Sequence, residues 1–191
     1  MSDSTSSSLL MRLRRPGEQA AWRRFIDLYT PLLFYWACRM GLPGEDAADL
    51  VQDLFVTLVQ KLPKFQYDPG KSFRSWLRTV AENRWRDALR KRAAAPANAG
   101  AAALAGVAVP AVPGAAALWE AEYRQHLLGR AVQLMRTDFE EKTWKACWAL
   151  VVDGKSGADA AAELGMTVEA VYAAKARVLR RLRQELNGLM D

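Results

Sequence analysis

A run of cationic side chains near the middle of the chain is the feature of the sequence best suited to chemistry. Residues 68–92 contain 8 basic and 3 acidic side chains, a net charge of +5 in a chain whose formal charge is +6. Arginine and lysine neutralise phosphates and release counterions, and arginine and asparagine also hydrogen-bond base edges. The pattern therefore indicates nucleic-acid binding, although a basic stripe taken alone is often only a solvated helix face. The polar groups of this run are Arg74, Arg78, Asn83, Arg84, Arg86, Asp87, Arg90, Lys91 and Arg92.

An amphipathic helix over 73–92, with Ser72 as its N-cap, is expected to position these groups. Aromatic rings stack on unpaired bases, so an exposed Trp76 or Trp85 would suit a melted DNA strand. Packing in the core is the favoured role for Trp76, and for Trp85 both roles stay open. The apolar stripe of the helix consists of Phe73, Trp76, Leu77, Val80, Ala81, Ala88 and Leu89.

A cluster of acids lies on the preceding helix, which is predicted over 46–62. Asp46, Asp49 and Asp53 are spaced i, i+3, i+7, which places them together on the face opposite the leucines. Gln52 flanks the same polar surface. This surface is either a solvated side, with acids favoured near the positive end of the helix dipole, or a docking face for a basic partner.

The apolar periodicity of the whole chain predicts an all-α fold. Large apolar residues recur at three- and four-residue intervals from Trp22 to Trp36. Pro31 is expected to kink or divide this helix, and Gly41 to end it. No stretch alternates convincingly with a period of two, so a sheet is not expected.

The uncharged segment 93–118 predicts a flexible linker between two domains. It contains 14 alanines, three prolines and three glycines, which deny it both a continuous helix and a core of its own. As a coil it would span roughly 28 Å on average and at most about 85 Å. The predicted domains are 9–92 and 119–189.

The second half of the chain predicts a helix-turn-helix. A helix over 143–152 is followed by a short alanine-rich helix over 157–164, a turn at Gly165, and a final helix that Thr167 caps. In this arrangement the final helix enters the major groove of duplex DNA. Five basic and no acidic residues between 175 and 183 suit the later part of that helix to phosphates.

Little in the sequence points to catalysis, a metal or a cofactor. Cys38 and Cys147 are far apart among apolar residues, which is typical of reduced core thiols, and the single histidine, His126, is most simply an exposed helix residue. No nucleophile elbow or phosphate-binding glycine loop is visible. No apolar run is long enough for a bilayer span or a secretory signal, so we expect no membrane insertion and a cytoplasmic protein.

The first half resembles region two of the bacterial extracytoplasmic-function (ECF) sigma factors, in the order and spacing of residues 46–55, 62–65, 73–77 and 83–92. In that family the helix matching 46–62 docks on the clamp helices of the largest RNA polymerase subunit. The segment matching about 68–92 captures the minus-ten promoter element as its strands separate. The resemblance implies polymerase contacts by Asp46, Asp49, Gln52 and Asp53. It implies promoter contacts by Asn83, Arg84, Asp87, Arg90 and Lys91, to which the basic surface adds Arg78 and Arg86.

The second half is similar to region four of the same family, which binds the minus-thirty-five element as duplex DNA. Many members carry lysine or arginine where this chain has Tyr172 and Ala174, a departure that bears on which bases are read and not on whether the module binds DNA. The resemblance places toward DNA the residues Thr167, Glu169, Tyr172, Ala173 and Arg177, and the basic stretch adds Lys175 and Arg180.

The sequence therefore predicts a sigma factor that binds core RNA polymerase and promoter DNA, and whose mechanism is binding rather than catalysis. The family commonly has an anti-sigma partner, but no residue here identifies one. One alternative is a dimeric helix-turn-helix regulator, which would leave the acidic helix and the 73–92 helix without roles. The other is a helical enzyme, which would need a cluster of catalytic groups.

Overall fold

The computed structural model describes residues 8–65, 72–94 and 115–190, and the regular elements within them are all helical. No strand occurs in this part of the chain, so the all-α prediction is confirmed. None of its helices is both long enough and apolar enough to cross a lipid bilayer. The α-helices are α1 (Leu9–Leu13), α2 (Gln19–Arg39), α3 (Gly44–Lys61), α4 (Phe73–Ala94), α5 (Ala115–Met135), α6 (Glu141–Val151), α7 (Gly157–Leu164) and α8 (Val168–Leu186), with 3-10 turns at Leu62–Lys64 and Arg136–Asp138.

By their internal contacts the residues form two compact units. The N-terminal unit comprises 10–127 and the last residues from 188, and the C-terminal unit comprises 128–187 and the first residues up to Leu9. Helix α5 contributes to both units, because the boundary falls between Leu127 and Leu128. The domain bounds predicted from composition, 9–92 and 119–189, stay a prediction. Most of the predicted linker lies outside the described residues, and the parts that are described, 93–94 and 115–118, belong to helices.

The core of the N-terminal unit is built on aromatic rings. Phe25 and Tyr29 of α2 meet with ring centroids 4.4 Å apart, and Phe73 at the start of α4 lies 6.1 Å from each. All three side chains are fully buried. Pro31 lies on the exposed side of α2, and the helix runs unbroken through it, so the predicted division there is wrong. Burial of apolar residues on both sides of the proline stabilises the helix against the loss of one backbone donor.

The core of the C-terminal unit is made of small side chains. Ala146 and Ala149 of α6, Ala160 and Ala161 of α7, and Ala174 of α8 pack around Val171. Short side chains let three helices approach closely, as the alanine-rich sequence of α7 predicts. The predicted bounds of α7 and the start of α8 are both confirmed.

Local capping accounts for these helix ends. The Ser156 hydroxyl accepts from the backbone of Asp159 at 3.1 Å, and the Thr167 hydroxyl accepts from Ala170 at 3.2 Å. Gly165 ends α7 with a φ of +61°, a conformation that favours glycine. In the N-terminal unit the predicted cap Ser72 likewise accepts from Ser75 at 3.2 Å.

Candidate nucleic-acid interface

The predicted promoter contacts of α4 fall on two different sides of the helix. Asn83, Arg86 and Arg90 are exposed on its outer side. Arg84, Asp87 and Lys91 instead line a groove that α4 forms with α3. The sequence placed all six on one continuous polar surface, and the structure separates them because the last turns of α4 still pack beside the start of α3.

The α3–α4 groove brings both sets of candidate residues together. Its volume is about 370 Å³, and Asp46, Asp49 and Asp53 line it opposite Arg84 and Lys91. Leu50 lines the groove as well. The acids therefore adjoin the apolar side of α3, whereas the sequence predicted them on the face opposite the leucines. One acid–base groove thus joins the predicted polymerase contacts to part of the predicted DNA contacts.

The outer arginines of α4 are held by acids of the same helix. Arg78 donates through Nε to Glu82 at 2.7 Å, and Arg86 lies 3.8 Å from the other oxygen of Glu82. One turn later Arg90 donates to Asp87 at 3.4 Å. Sequence analysis did not single out Glu82, although its spacing of four residues from both arginines is the signal of such pairs.

Three side chains of α4 take places that the sequence left open or assigned differently. Trp85 is only 7% exposed and packs with Ala37 and Leu50, so in this structure it is a core residue and not a platform for bases. Trp76 is half-buried, with its ring 4.8 Å from that of Phe65. Arg74 is only 9% exposed, so the prediction that it is a surface cation is wrong.

The outer face of α3 is exposed in the part of the chain that the structure describes. Asp49, Gln52 and Asp53 are exposed on it, while Asp46 is half-buried. Val56 and Val59 are also exposed, at 59% and 51%, and continue the same face toward the end of the helix. Sequence analysis missed these two valines, whose signal is an apolar residue on the polar side of an amphipathic helix.

The predicted DNA face of α8 is a continuous exposed surface of the C-terminal unit. Glu169, Tyr172, Ala173, Arg177 and Arg180 are all exposed, Thr167 serves as the N-cap, and Lys175 is half-buried. The opposite side of the helix carries Val171, Ala174 and Val178 into the core. Arg183, which was not among the predicted contacts, extends the exposed basic surface by one turn.

Two further residues shape this surface. The ring of Tyr172 lies so close to Gly157 that a Cβ atom at that glycine would stand 2.7 Å from it, so a side chain there would displace the tyrosine ring. Arg181 pairs with Glu185 at 3.0 Å and Asp138 at 3.9 Å. Of the five basic residues between 175 and 183, Arg181 is therefore engaged in holding the fold.

The cysteines and the histidine are not among the exposed residues of either surface. Cys38 and Cys147 are free thiols, as predicted, and burial raises the pKa of Cys147 while Lys175 lowers it to a smaller extent. His126 is half-buried on α5 with its ring 4.7 Å from that of Tyr35, so it is less exposed than predicted.

Comparisons with known proteins find sigma factors among the relatives of this chain. Residues 25–95, which include α3 and α4, match the family model described as Sigma-70 region 2. Over 196 aligned residues the chain is 30% identical to the RNA polymerase sigma factor CnrH of Cupriavidus metallidurans, covering 100% of this chain and 97% of that protein. It is 33% identical over 92 residues to the RNA polymerase sigma factor NccH of Alcaligenes xylosoxydans xylosoxydans, covering 48% of each.

A solved structure is also similar to the chain. It is the structure of CnrH in complex with the cytosolic domain of CnrY, with 23% sequence identity and a TM-score of 0.36 over 91% of this chain and 92% of that one.

Proposed function

The chain belongs to the ECF family of bacterial RNA polymerase sigma factors, and on that premise we propose which of its surfaces does which part of the work. As a sigma factor it binds core RNA polymerase and promoter DNA and directs the initiation of transcription. The family model and the relative that matches along the whole chain set aside the alternative of a dimeric regulator.

We assign polymerase docking to the outer face of α3. Asp49, Gln52 and Asp53 present acceptors to a basic partner, and Val56 and Val59 offer apolar area beside them. A charged end followed by an apolar end suits a helical partner such as the clamp helices of the largest subunit, because complementary charge guides the encounter and apolar burial slows release. Asp46 contributes from the edge of the groove.

We assign the minus-ten element to α4. Asn83, Arg86 and Arg90 face outward for the separated strand, and Arg84, Asp87 and Lys91 border the same helix on the groove side. Because Arg78, Arg86 and Arg90 already pair with acids of α4, phosphates must replace carboxylates when DNA binds. Because this replacement breaks existing ion pairs, we expect α4 to bind DNA that the polymerase holds beside it better than free DNA.

We assign the minus-thirty-five element to α8. Arg177, Arg180 and Arg183 are exposed for phosphates, and the first turns offer Glu169, Tyr172 and Ala173 to base edges. The caps and the small-residue core of the C-terminal unit hold this face rigidly. We assign base contacts to Glu169, Tyr172 and Ala173 because these residues are exposed at the start of α8, the part of a recognition helix that contacts base edges.

The single observation that carries the docking assignment is the exposed acidic face of α3. Asp49→Lys with Asp53→Lys changes the charge of that face by +4 and should weaken binding to core polymerase at least tenfold without unfolding the protein. The measurement is competition for purified core polymerase, followed by promoter-selective run-off transcription. Glu140→Lys with Asp153→Lys is the matched control, since these exposed acids belong to the C-terminal unit. Equal competition by the double α3 variant and by the wild type would refute the assignment.

We propose three further properties of the chain. Sigma factors regulate transcription without catalysing a reaction of their own, and we propose that this chain too acts only by binding. Because its partners are polymerase and chromosomal promoters, its place of action is the cytoplasm. An anti-sigma partner, which the family resemblance leads us to expect, would be sought by co-purification with the full chain.

A further inference from the structure

One flank of α8 carries apolar side chains among its cations. Tyr172, Ala176 and Leu179 are spaced i, i+4, i+7, so they lie along one side of the helix. Tyr172 and Ala176 are exposed, and Leu179 is half-buried. Because Ala176 and Leu179 offer nothing to a phosphate, this flank suits a different chemical group from the arginines beside it.

These three residues line a groove of about 410 Å³ along the surface of α8, and the other described residues that line it are cations. The cations are Lys175, Arg180 and Arg183. An occupant of matching chemistry presents an apolar group close to negative charges. The major groove of duplex DNA does so, because thymine places its C5-methyl group there and phosphates border the groove on both strands.

The ring of Tyr172 is held against the neighbouring helix. A Cβ atom at Gly157, the first residue of α7, would stand 2.7 Å from Cε2 of the ring and 2.9 Å from both Cζ and the hydroxyl oxygen. The outer end of the ring therefore lies directly over the glycine, yet the side chain is still 52% exposed. A side chain that is already ordered loses little conformational freedom when it binds, which favours its use in recognition.

The two helices that hold the ring are fixed to one another by the core of the C-terminal unit. Ala160 lies one turn after Gly157, and Val171 directly precedes Tyr172. Both side chains are fully buried in the same cluster. The distance between the start of α7 and the ring of Tyr172 is thus set by packing within a single unit.

We propose that Tyr172 reads the C5-methyl group of a thymine in the minus-thirty-five element, and that Gly157 is the positioning residue that holds the ring for this contact. The inference rests on the proposed function, in which α8 enters the major groove, and it adds the class of base that is read. Thymine is the one DNA base that carries such a methyl group, so an apolar contact at this position distinguishes it from the others. Ala176 leaves room beside the ring, and Arg180 and Arg183 supply charge for nearby phosphates.

The test compares thymine with deoxyuridine, which lacks only the methyl group. Duplexes that bind the full chain are selected from a random pool, and each thymine of the selected element is then replaced singly by deoxyuridine. Fluorescence anisotropy measures the affinity of the full chain for each duplex. At one position or more, the loss of a buried methyl contact should weaken binding by the wild type about fourfold.

Four variants locate the contact. Tyr172→Ala should abolish the discrimination at that position, whereas Tyr172→Phe should keep it, because the ring and not the hydroxyl contacts the methyl group. Gly157→Ala should reduce the discrimination, and should reduce it no further when Tyr172→Ala is already present. Val152→Ala is the matched control, since it removes an exposed apolar side chain at the end of α6 in the same unit and should keep the full discrimination. Circular dichroism checks the folding of each variant.

The proposal is refuted if no deoxyuridine weakens binding by the wild type, or if Tyr172→Ala keeps the discrimination. An equal loss of affinity by Tyr172→Ala for thymine and deoxyuridine duplexes also contradicts it, because the ring would then contact the sugar-phosphate backbone. Should Gly157→Ala unfold the protein with and without Tyr172→Ala, the glycine serves the fold and its positioning role is wrong. If the full chain selects no duplex at all, it is the proposed function of α8 that fails.

Discussion

The two basic helices of the molecule, α4 and α8, differ in what their cations contact. On α4, Arg78 and Arg86 share Glu82, and Arg90 pairs with Asp87. On α8, Arg177, Arg180 and Arg183 are exposed and make no ion pair or hydrogen bond with any other residue that the structure describes. Both helices carry many positive charges, but Arg177, Arg180 and Arg183 of α8 are available to phosphates without breaking a described contact, whereas Arg78, Arg86 and Arg90 of α4 are not.

This difference accounts for a division of labour. Exposed ion pairs contribute about 0.2 to 1 kcal/mol each, so replacing the acids of α4 by phosphates costs a small but real amount for each arginine. We therefore propose that α8 binds duplex DNA directly, whereas α4 binds well only where the polymerase holds a strand beside it. The α3–α4 groove adds to this, because Arg84 and Lys91 face the acids of α3.

The largest expected effect is on α8. Arg177→Ala with Arg180→Ala should weaken binding to a minus-thirty-five duplex. If an arginine reads a base, its loss should cost about 1 to 3 kcal/mol of binding free energy. If both arginines contact phosphates, the affinity should instead depend less steeply on salt concentration. Fluorescence anisotropy over a salt series measures both quantities. If affinity and salt slope are unchanged, α8 is not the duplex-binding helix.

Arg181→Ala provides the contrast on the same helix. Its guanidinium pairs with Glu185, which is only 4% exposed, so removing it should lower the free energy of unfolding by about 1 to 3 kcal/mol. Duplex affinity should stay within about twofold of wild type, because this arginine is already engaged within the C-terminal unit. Thermal unfolding and anisotropy separate the two effects, and a loss of DNA affinity with unchanged stability would contradict the assignment.

A smaller effect is expected on α4 from Glu82→Gln. The change frees Arg78 and Arg86 from their shared carboxylate and should tighten binding of the holoenzyme to a single-stranded minus-ten oligonucleotide about two- to fivefold. Glu163→Gln, whose partner is Lys155 in the C-terminal unit, is the control. Weaker binding by Glu82→Gln would mean that the carboxylate positions the arginines for DNA instead of competing with it.

The smallest effect concerns the thiols of the two units. Cys147 is 6% exposed and burial raises its pKa, whereas Cys38 is half-buried. At pH 8 an alkylating reagent should therefore modify Cys38 several-fold faster, since the thiolate is the reactive form. Mass spectrometry of the alkylated protein follows both sites. Faster modification of Cys147 would show that the small-residue core of α6, α7 and α8 opens readily.

The two units also differ in how well the sequence predicts them. Helix ends in the C-terminal unit depend on local caps, and the Gly165 turn and the Thr167 cap were predicted because capping is a local interaction, whereas the Ser156 cap was not singled out. The fold class followed from periodicity, and the family followed from the resemblance of the motifs, in their order and spacing, to those of ECF sigma factors. The exposure of Glu169, Tyr172 and Arg177 also agrees with the face expected of α8.

The burial of side chains that depends on contacts with residues distant in the sequence was not predicted. Arg74 is buried because a ring 49 positions away, that of Tyr123, lies beneath it, and no periodicity within α4 contains that contact. Trp85 is buried against α2 and α3. This burial depends on how the helices pack, which helix propensity does not predict. The meeting of Arg84 and Lys91 with the acids of α3 likewise needs the packing of two helices.

The central claim is that α8 binds duplex DNA and α4 opens it, and permanganate probing of unpaired thymines in the assembled holoenzyme tests it most directly. Asn83→Ala with Asp87→Ala should abolish most permanganate reactivity at the minus-ten element while leaving minus-thirty-five duplex binding intact. Arg177→Ala should weaken that duplex binding, with opening restored at high holoenzyme concentration. Equal loss of duplex binding in both variants, with opening unaffected, would contradict the account.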